Sequence, residues 1–402
     1  MRDQLLEIYR GSQIQHRQNC VSPYNIKLDF NSGAKVDISS SLNKNEKFEI
    51  CFFDNSNDEL IYSDIISNNM WCCSFRQYYC DWRVEVKALS SNVSKKINFN
   101  LKGKKVRISN ESSSLGDCIA WTGFIQKFKE KHNCEIDYFT PFYEIFKNQY
   151  KGINIKPYKE KNNSEDYYAS YKLGYYYDNK YLSPFDSRER SLQEVACDIL
   201  GLDFSETFPN IFIENPKSPI DEKYVCISTS STAGCKHWQN KNGWQNTVDY
   251  LNNLGYKVVV IQKEPLDYMD LNGLNNVLHP NTKNIQSAIT WLSNCEFYIG
   301  LGSGISWLSW ALNKKVIMIS GFSEPFAEFF NQYRVINANV CHGCWNNTDH
   351  KFDSSDWDWC PKNKDFECSK QITFKMVKEK IDTLIEYRYC SAGEHLTKAY
   401  NI

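Results

Sequence analysis

With 402 residues, 42% of them hydrophobic and 24% charged, the chain is long enough to bury more than one core and does not depend on covalent staples for stability. Lys and Arg (47) nearly balance Asp and Glu (48), and the formal net charge of -1 gives no broad field to attract nucleic acid or an anionic membrane. The opening residues, MRDQLLEIYRGSQIQHRQNC, lack the apolar run and small-residue cleavage site of a secretory signal, and no stretch has the length of a spanning helix, so the expected location is cytoplasmic.

Between residues 24 and 108 the runs NIKLDF, AKVDISS, KFEICFFD, LIYSDII, WRVEVKAL, KKINFNL and KKVRIS alternate apolar and polar residues between Asn, Ser, Gly and Asp turns. They predict a small antiparallel module, sandwich or barrel, of the kind that positions partners. From about residue 104 strands and helices alternate: KKVRIS, the loop NESSSLGD, the helix CIAWTGFIQKFKEKH, the strand CEIDYFT and the helix FYEIFKNQY. Residues 151–222 read as polar loops with one helix near SLQEVACDILG. A second series comes after them: KYVCIST, helix WQNTVDYLNNLG, strand YKVVVIQ, helix NIQSAITWLSNC, strand EFYIGL, helix SGISWLSWALN, strand KKVIMISG, and a closing helix FKMVKEKIDTLIEYRY. Such alternation builds parallel sheets by right-handed crossovers, so the expected class is α/β with two doubly wound halves. The expected divisions are a β-rich module over 1–103, a first Rossmann-like half over 104–215, a second over 216–340, a cysteine segment over 341–370, and a helix and tail over 371–402.

Ligands of doubly wound sheets bind where loops leave the carboxyl ends of strands, and four such loops stand out. SSSLGD offers Ser114, Leu115 and Gly116 to an oxyanion at a sharp turn, and puts Asp117 near a helix N-terminus, where it would equally serve as a cap. STSSTAGCKHW presents Ser230, Thr232 and Lys236, which suit a diphosphate, although Lys236 also fits a solvated surface. GLGSGISWLSWALN opens a helix on Gly302, Ser303, Gly304, Ile305 and Ser306, whose backbone favours a phosphate. SGFSEPFAEF brings Phe322 to the same edge.

Cys51, Cys118, Cys197, Cys226 and Cys295 stand singly in apolar runs, where a thiol is a small core residue. Cys341-x2-Cys344-x15-Cys360-x7-Cys368 is different: four thiolates at this spacing complete a tetrahedral sulfur site for zinc or iron, and the absence of an open position makes the ion structural. Such bonds order a polar loop that has too little aliphatic content for a core. Trp345, Trp357 and Trp359 are expected to pack around the sulfurs.

In this order, SLGD, KHW, GLGSGISWLSWAL and SG resemble the ADP-heptose-using glycosyltransferases of lipopolysaccharide inner-core synthesis. The β-rich N-terminal module and the cysteine insert narrow the resemblance to the bacterial autotransporter heptosyltransferases, over roughly residues 25–390. Ser303 and Trp307 stand where the lipopolysaccharide enzymes carry an aspartate and a histidine, which fits the autotransporter branch. The resemblance implies a GT-B fold with two Rossmann-like lobes and ADP-heptose in the cleft. Asp117 falls on the general base toward an acceptor serine of an autotransporter passenger domain, with inversion at the anomeric carbon. Lys236 and the amides near Ser303, Gly304 and Ile305 would stabilise departing ADP without a catalytic divalent metal. The resemblance also implies iron, one ion per subunit, in the cysteine site, with zinc as the alternative, and a homo-oligomer such as a dodecameric ring.

Two other readings compete. One is a glycosyltransferase of this fold with another nucleotide sugar or a lipid-linked glycan acceptor. The other, from a different class, is a zinc-ribbon binding module, against which stand the near-zero charge and the absence of a basic stripe beside the cysteines. The N-terminal sheets offer an edge for an extended acceptor or a contact between subunits.

Overall fold

The computed structural model describes residues 24–39, 45–90, 93–160, 166–265, 273–350 and 358–391. The N-terminal module contains two antiparallel sheets. In one, β1 (Asn25–Asp29), β2 (Lys35–Ser39) and β5 (Met70–Cys73) lie in the order β1-β2-β5; in the other, β3 (Lys47–Asp54), β4 (Glu59–Ser67), β6 (Trp82–Ala88) and β7 (Val93–Asn98) lie in the order β4-β3-β6-β7. Alternation along these strands sends Val36, Ile38, Phe48, Ile50, Phe52, Val84 and Val86 into one core. At about 1.5–3 kcal/mol per fully buried large apolar side chain, this core accounts for the module's cohesion. β5 is a strand that the alternating pattern did not single out.

The module is stitched to the first parallel sheet. Phe30 bridges Ala169 in parallel, its amide donating to the Tyr168 carbonyl at 3.1 Å and its carbonyl accepting from the Ser170 amide at 3.2 Å.

That sheet is built from β8 (Lys105–Asn110), β9 (Glu135–Thr140), β10 (Ile153–Pro157) and β11 (Ala169–Leu173), in the order β10-β9-β8-β11. Residues 151–222 are therefore more than a polar link, because two of their segments complete this sheet. Conversely, FYEIFKNQY keeps only one helical turn, Tyr143–Phe146. The long helix α1 (Leu115–His132) covers the sheet and is tied by the Trp121 indole, which donates to the Leu192 carbonyl at 2.7 Å, to α2 (Leu192–Leu200). Helix α2 begins with a reciprocal cap, Ser191 Oγ accepting from the Glu194 amide at 3.2 Å and Glu194 Oε2 accepting from the Ser191 amide at 2.8 Å.

The second parallel sheet is built from β12 (Tyr224–Ile227), β13 (Lys257–Val260), β14 (Tyr298–Leu301), β15 (Val316–Ile319) and the two-residue β16 (Arg334–Val335), in the order β13-β12-β14-β15-β16. Its strands are buried on both faces, as their continuous Val and Ile runs require. Helices α3 (Gly243–Asn253), α4 (Ile285–Asn294), α5 (Gly304–Ala311) and α6 (Phe374–Ser391) alternate with or succeed these strands. Among the described residues no helix is long and apolar enough to cross a membrane. Cys118, Cys197, Cys226 and Cys295 are buried as expected, whereas Cys51 is only half-buried.

The two sheets are joined through α1 and α5, whose first turns meet at two glycines. A Cβ added at Gly304 would lie 2.9 Å from the Leu115 Cβ and 3.1 Å from the Gly116 amide nitrogen; one added at Gly116 would lie 3.1 Å from the Trp307 ring. Gly304→Ala is expected to destabilise the chain by about 1–3 kcal/mol, the usual penalty of overpacking. A lowered urea midpoint, beside an unchanged one for Gly273→Ala, where nothing lies within 4 Å, is the measurement that checks this.

Candidate functional site

In each parallel sheet the chain reverses its direction of strand addition once. β8 lies between β9 and β11, and β12 lies between β13 and β14. Loops leaving the carboxyl ends at these reversals form the natural ligand crevice. They carry Asp117 after β8, Lys236 after β12 and Ser303 after β14, three residues expected from sequence.

Asp117 lies in the first turn of α1 and accepts a hydrogen bond from Ser112 Oγ at 2.5 Å. Ser112 is in turn placed by its amide, which donates to Asn110 Oδ1 at 3.0 Å, and its Oγ accepts from the Ser114 amide at 3.0 Å. Burial pushes the Asp117 carboxyl above its ordinary value, opposed by the hydrogen bond from Ser112, the positive charge of Lys236 and a contact with Ser114. The charge of Lys236, which comes from the loop after β12, thus reaches Asp117 in the loop after β8. Ser114 caps α1 through its backbone without a side-chain cap bond and is exposed beside Asp117. Leu115 and Gly116 are occupied by the contact with Gly304.

Lys236 ends a short turn, Gly234–Lys236, and makes no salt bridge among the described residues. The turn is held from below: the Gly234 amide donates to Asp358 Oδ1 at 2.8 Å, and Trp238 Nε1 donates to the Ile372 carbonyl at 2.7 Å. Thr232 is exposed, but Ser230 is buried and its Oγ donates to Glu264 Oε2 at 2.9 Å. Ser303 caps α5 without a side-chain bond, and its Oγ is buried with no hydrogen-bond partner among the described residues. Gly304 and Ile305 start the helix with free amides. Gly302 leaves room for Glu328, whose Oε1 lies 2.9 Å from where a Cβ would stand. Besides the buried Ser230, two more expected ligand-binding residues turn inward. Ser306 is fully buried and donates to the Leu301 carbonyl at 2.5 Å, fastening helix to strand, and Phe322 packs with Ala233, Cys235 and Cys344 beneath the Lys236 turn.

The cysteine segment lies against this same site. Cys344 opens a short turn, Cys344–Asn346, while Cys368 sits on the one-turn helix Glu367–Lys370 and packs against Gly321. Burial, and then the charges of Cys341, Cys344 and Cys360, push the Cys368 thiol up to about 12. Among the described residues, however, no group of three or more His, Cys, Asp or Glu side chains is arranged to hold a metal ion. Neutral thiols attract one another weakly; metal bonds are what draw four sulfurs into one shell. In ligand type the set fits a soft, tetrahedrally bound ion. Residues 351–357, with Trp357, lie outside the described residues, and Trp359 is partly exposed. Trp345 packs edge-on against Tyr175, with ring centroids 5.5 Å apart. The buried Arg188 guanidinium clamps the segment to the first half, donating to the His350 carbonyl at 2.7 Å while paired with Asp186 at 3.1 Å.

Sequence reasoning missed Tyr175 and Glu328. Tyr175 comes after β11, a strand that was not recognised, and the tyrosine run at 175–177 was the available signal. Glu328 accepts from Ser323 Oγ at 2.6 Å and pairs with Arg334 at 2.5 Å.

Known proteins share this arrangement. The family model for glycosyltransferase family 9 (heptosyltransferase) matches residues 173–354. Autotransporter heptosyltransferase Aah of Escherichia coli is 32% identical over 382 residues, 89% of this chain and 93% of Aah. The inactive autotransporter heptosyltransferase BimC of Burkholderia thailandensis is 28% identical over 89% of this chain and 86% of BimC. The crystal structure of the iron-containing dodecameric glycosyltransferase TibC from enterotoxigenic E. coli superposes with a TM-score of 0.83 at 30% identity, covering 90% of this chain and 96% of TibC; TibC has also been solved with ADP-D-β-D-heptose. With a glycosyltransferase family 9 α/β fold and this similarity over nearly its whole length, the chain belongs to the autotransporter heptosyltransferase family of glycosyltransferases.

Proposed function

We propose that this chain transfers heptose from ADP-heptose to serine hydroxyls of an autotransporter passenger domain, with inversion at the anomeric carbon. The observation that carries the reading is the placement of Asp117 after β8 and of Lys236 after β12, at the strand reversals of the two parallel sheets. The two sheets are then the two lobes of a GT-B enzyme, with the donor between them. The acceptor serine gives its proton to Asp117 as its oxygen attacks the anomeric carbon. The bond from that carbon to the phosphate oxygen breaks, and its electron pair leaves with ADP. Lys236, the amides of Gly304 and Ile305 and the unpartnered Ser303 hydroxyl stabilise the growing charge. No divalent metal is needed for that step. Ser114 and Thr232 are open to the ligand, and Leu115, Gly116 and Gly302 shape the backbone around it.

Cys341, Cys344, Cys360 and Cys368 would hold one iron ion per subunit, with zinc as the alternative. The ion supplies cross-links and no reacting position. The TibC structures also support a homo-oligomer, with twelve subunits as the size to test. The free thiols of the described residues suit the reducing cytoplasm.

BimC is described as inactive, so membership of the family leaves activity to be demonstrated. Intact-mass analysis of a passenger domain incubated with the protein and ADP-heptose is expected to give increments of one heptose. Increments from another nucleotide sugar alone would replace the donor, and none from any donor would contradict transfer to protein.

Three variants probe the parts. Asp117→Asn should lower turnover by about 100-fold or more, the usual scale for a general base. Because burial raises the Asp117 pKa in the folded chain above the unfolded value near 3.8, the native state releases its proton reluctantly. Its contribution to stability is therefore present below 3.8 and lost as pH rises through the folded pKa. Asp117→Asn should accordingly melt higher than wild type at neutral pH, and the acid limb of wild-type kcat/KM should lie above the ordinary carboxylate range. Lys236→Ala should weaken ADP binding and lower kcat by roughly 100–1,000-fold, as loss of one preorganised donor does; tight ADP binding by that variant would contradict the assignment. Cys344→Ser should lose bound metal by elemental analysis and lower the Tm by several degrees, about 3 kcal/mol in a chain of this size.

A further inference from the structure

Four loops border the two sheet reversals, and the transfer reaction employs three. The fourth leaves β11 and contains Tyr175, brought beside the Asp117 loop by the Glu111 amide, which donates to the Leu173 carbonyl at 2.8 Å. The Tyr175 ring is fixed from two sides. Trp121, one helical turn beyond Asp117, meets it edge-on at 5.9 Å, and Trp345 of the cysteine segment meets it at 5.5 Å.

A tyrosine packed this closely usually gives its hydroxyl a partner. The Tyr175 hydroxyl makes no hydrogen bond within the chain among the described residues. Burial first, and then the charges of Asp117 and Glu328, push its pKa well above that of a free phenol, so it stays protonated and able to donate. The two nearby carboxylates can only accept. Asp117 is engaged by Ser112 and reserved for the acceptor proton. Glu328 accepts one bond at each oxygen, from Ser323 and Arg334, and retains lone pairs, since a carboxylate has about four. A group that fits between a protonated phenol and an acceptor-only carboxylate can accept from the one and donate to the other. Carbohydrate hydroxyls do both.

We propose that Tyr175 and Glu328 recognise the transferred sugar, the phenol donating to a sugar hydroxyl that in turn donates to the Glu328 carboxylate. This rests on the heptosyl-transfer reading and adds to it a contact that distinguishes the sugar from the bare nucleotide. Trp121 and Trp345 hold the phenol in place before the ligand arrives, so little entropy is lost on binding.

Tyr175→Phe tests the assignment because it keeps both ring contacts and removes one oxygen. Titration calorimetry of the full-length protein with ADP and separately with ADP-heptose should show ADP affinity within two-fold of wild type and ADP-heptose affinity about 10-fold weaker, as loss of one buried hydrogen bond predicts. An unchanged Tm would confirm that packing is retained. Equal losses for both ligands, or no loss for either, would overturn the proposal. If wild type prefers a different nucleotide sugar, the heptose reading fails, and the same comparison of that donor with its bare nucleotide then decides the role of Tyr175.

Discussion

The structure depends on the approach of two helix N-termini at a pair of glycines. Gly116 and Gly304 bring α1 and α5 so close that any side chain at Gly304 would strike Leu115 and the Gly116 backbone. Helix N-termini carry unsatisfied amides and a partial positive charge, and neighbouring ends of like sign are not self-evidently stable. Apolar packing around the contact compensates: Trp307 covers Gly116, the indoles of Trp307 and Trp310 pack with Phe329, and Phe208 stacks on Trp310 with centroids 4.1 Å apart. The first turn of α1, which carries Asp117, and the N-terminus of α5 are thereby brought together.

The cysteine segment takes its meaning from that arrangement. It leaves the second sheet and is clamped to the first half by Arg188, and its Trp345 ends against Tyr175. Phe322, Ala233 and Cys235 join Cys344 in a small apolar cluster beneath the Lys236 turn. One loop thus underlies both the Lys236 turn and the Tyr175 ring. Loss of order there would be felt at both.

Much of this was legible in the sequence, and the failures have physical causes. Long periodic or continuous apolar runs such as CIAWTGFIQKFKEKH and KKVIMISG declared themselves, because one buried face or two leave a strong pattern. β10 and β11 are the two edge strands of the first parallel sheet, β10 ending in Pro157 and β11 reading ASYKL, with Ser170 and Lys172 interrupting its apolar run. Neither has a decisive period, and missing β11 hid Tyr175. Ser306 and Phe322 were read as ligand-facing because they lie in the right loops, but sequence does not say which side of a loop faces inward. The cysteine spacing gave the metal reading, while among the described residues no group is arranged to hold an ion. The clamp by Arg188, 153 residues before Cys341, is a long-range contact with no local signal.

The most direct test of the account is a high-resolution structure of the protein with ADP-heptose. The account predicts the diphosphate within hydrogen-bond distance of Lys236 Nζ and the amides of Gly304 and Ile305, with the anomeric carbon turned toward Asp117. A diphosphate bound away from the α5 N-terminus, or an anomeric carbon on the far side of the site from Asp117, would contradict it.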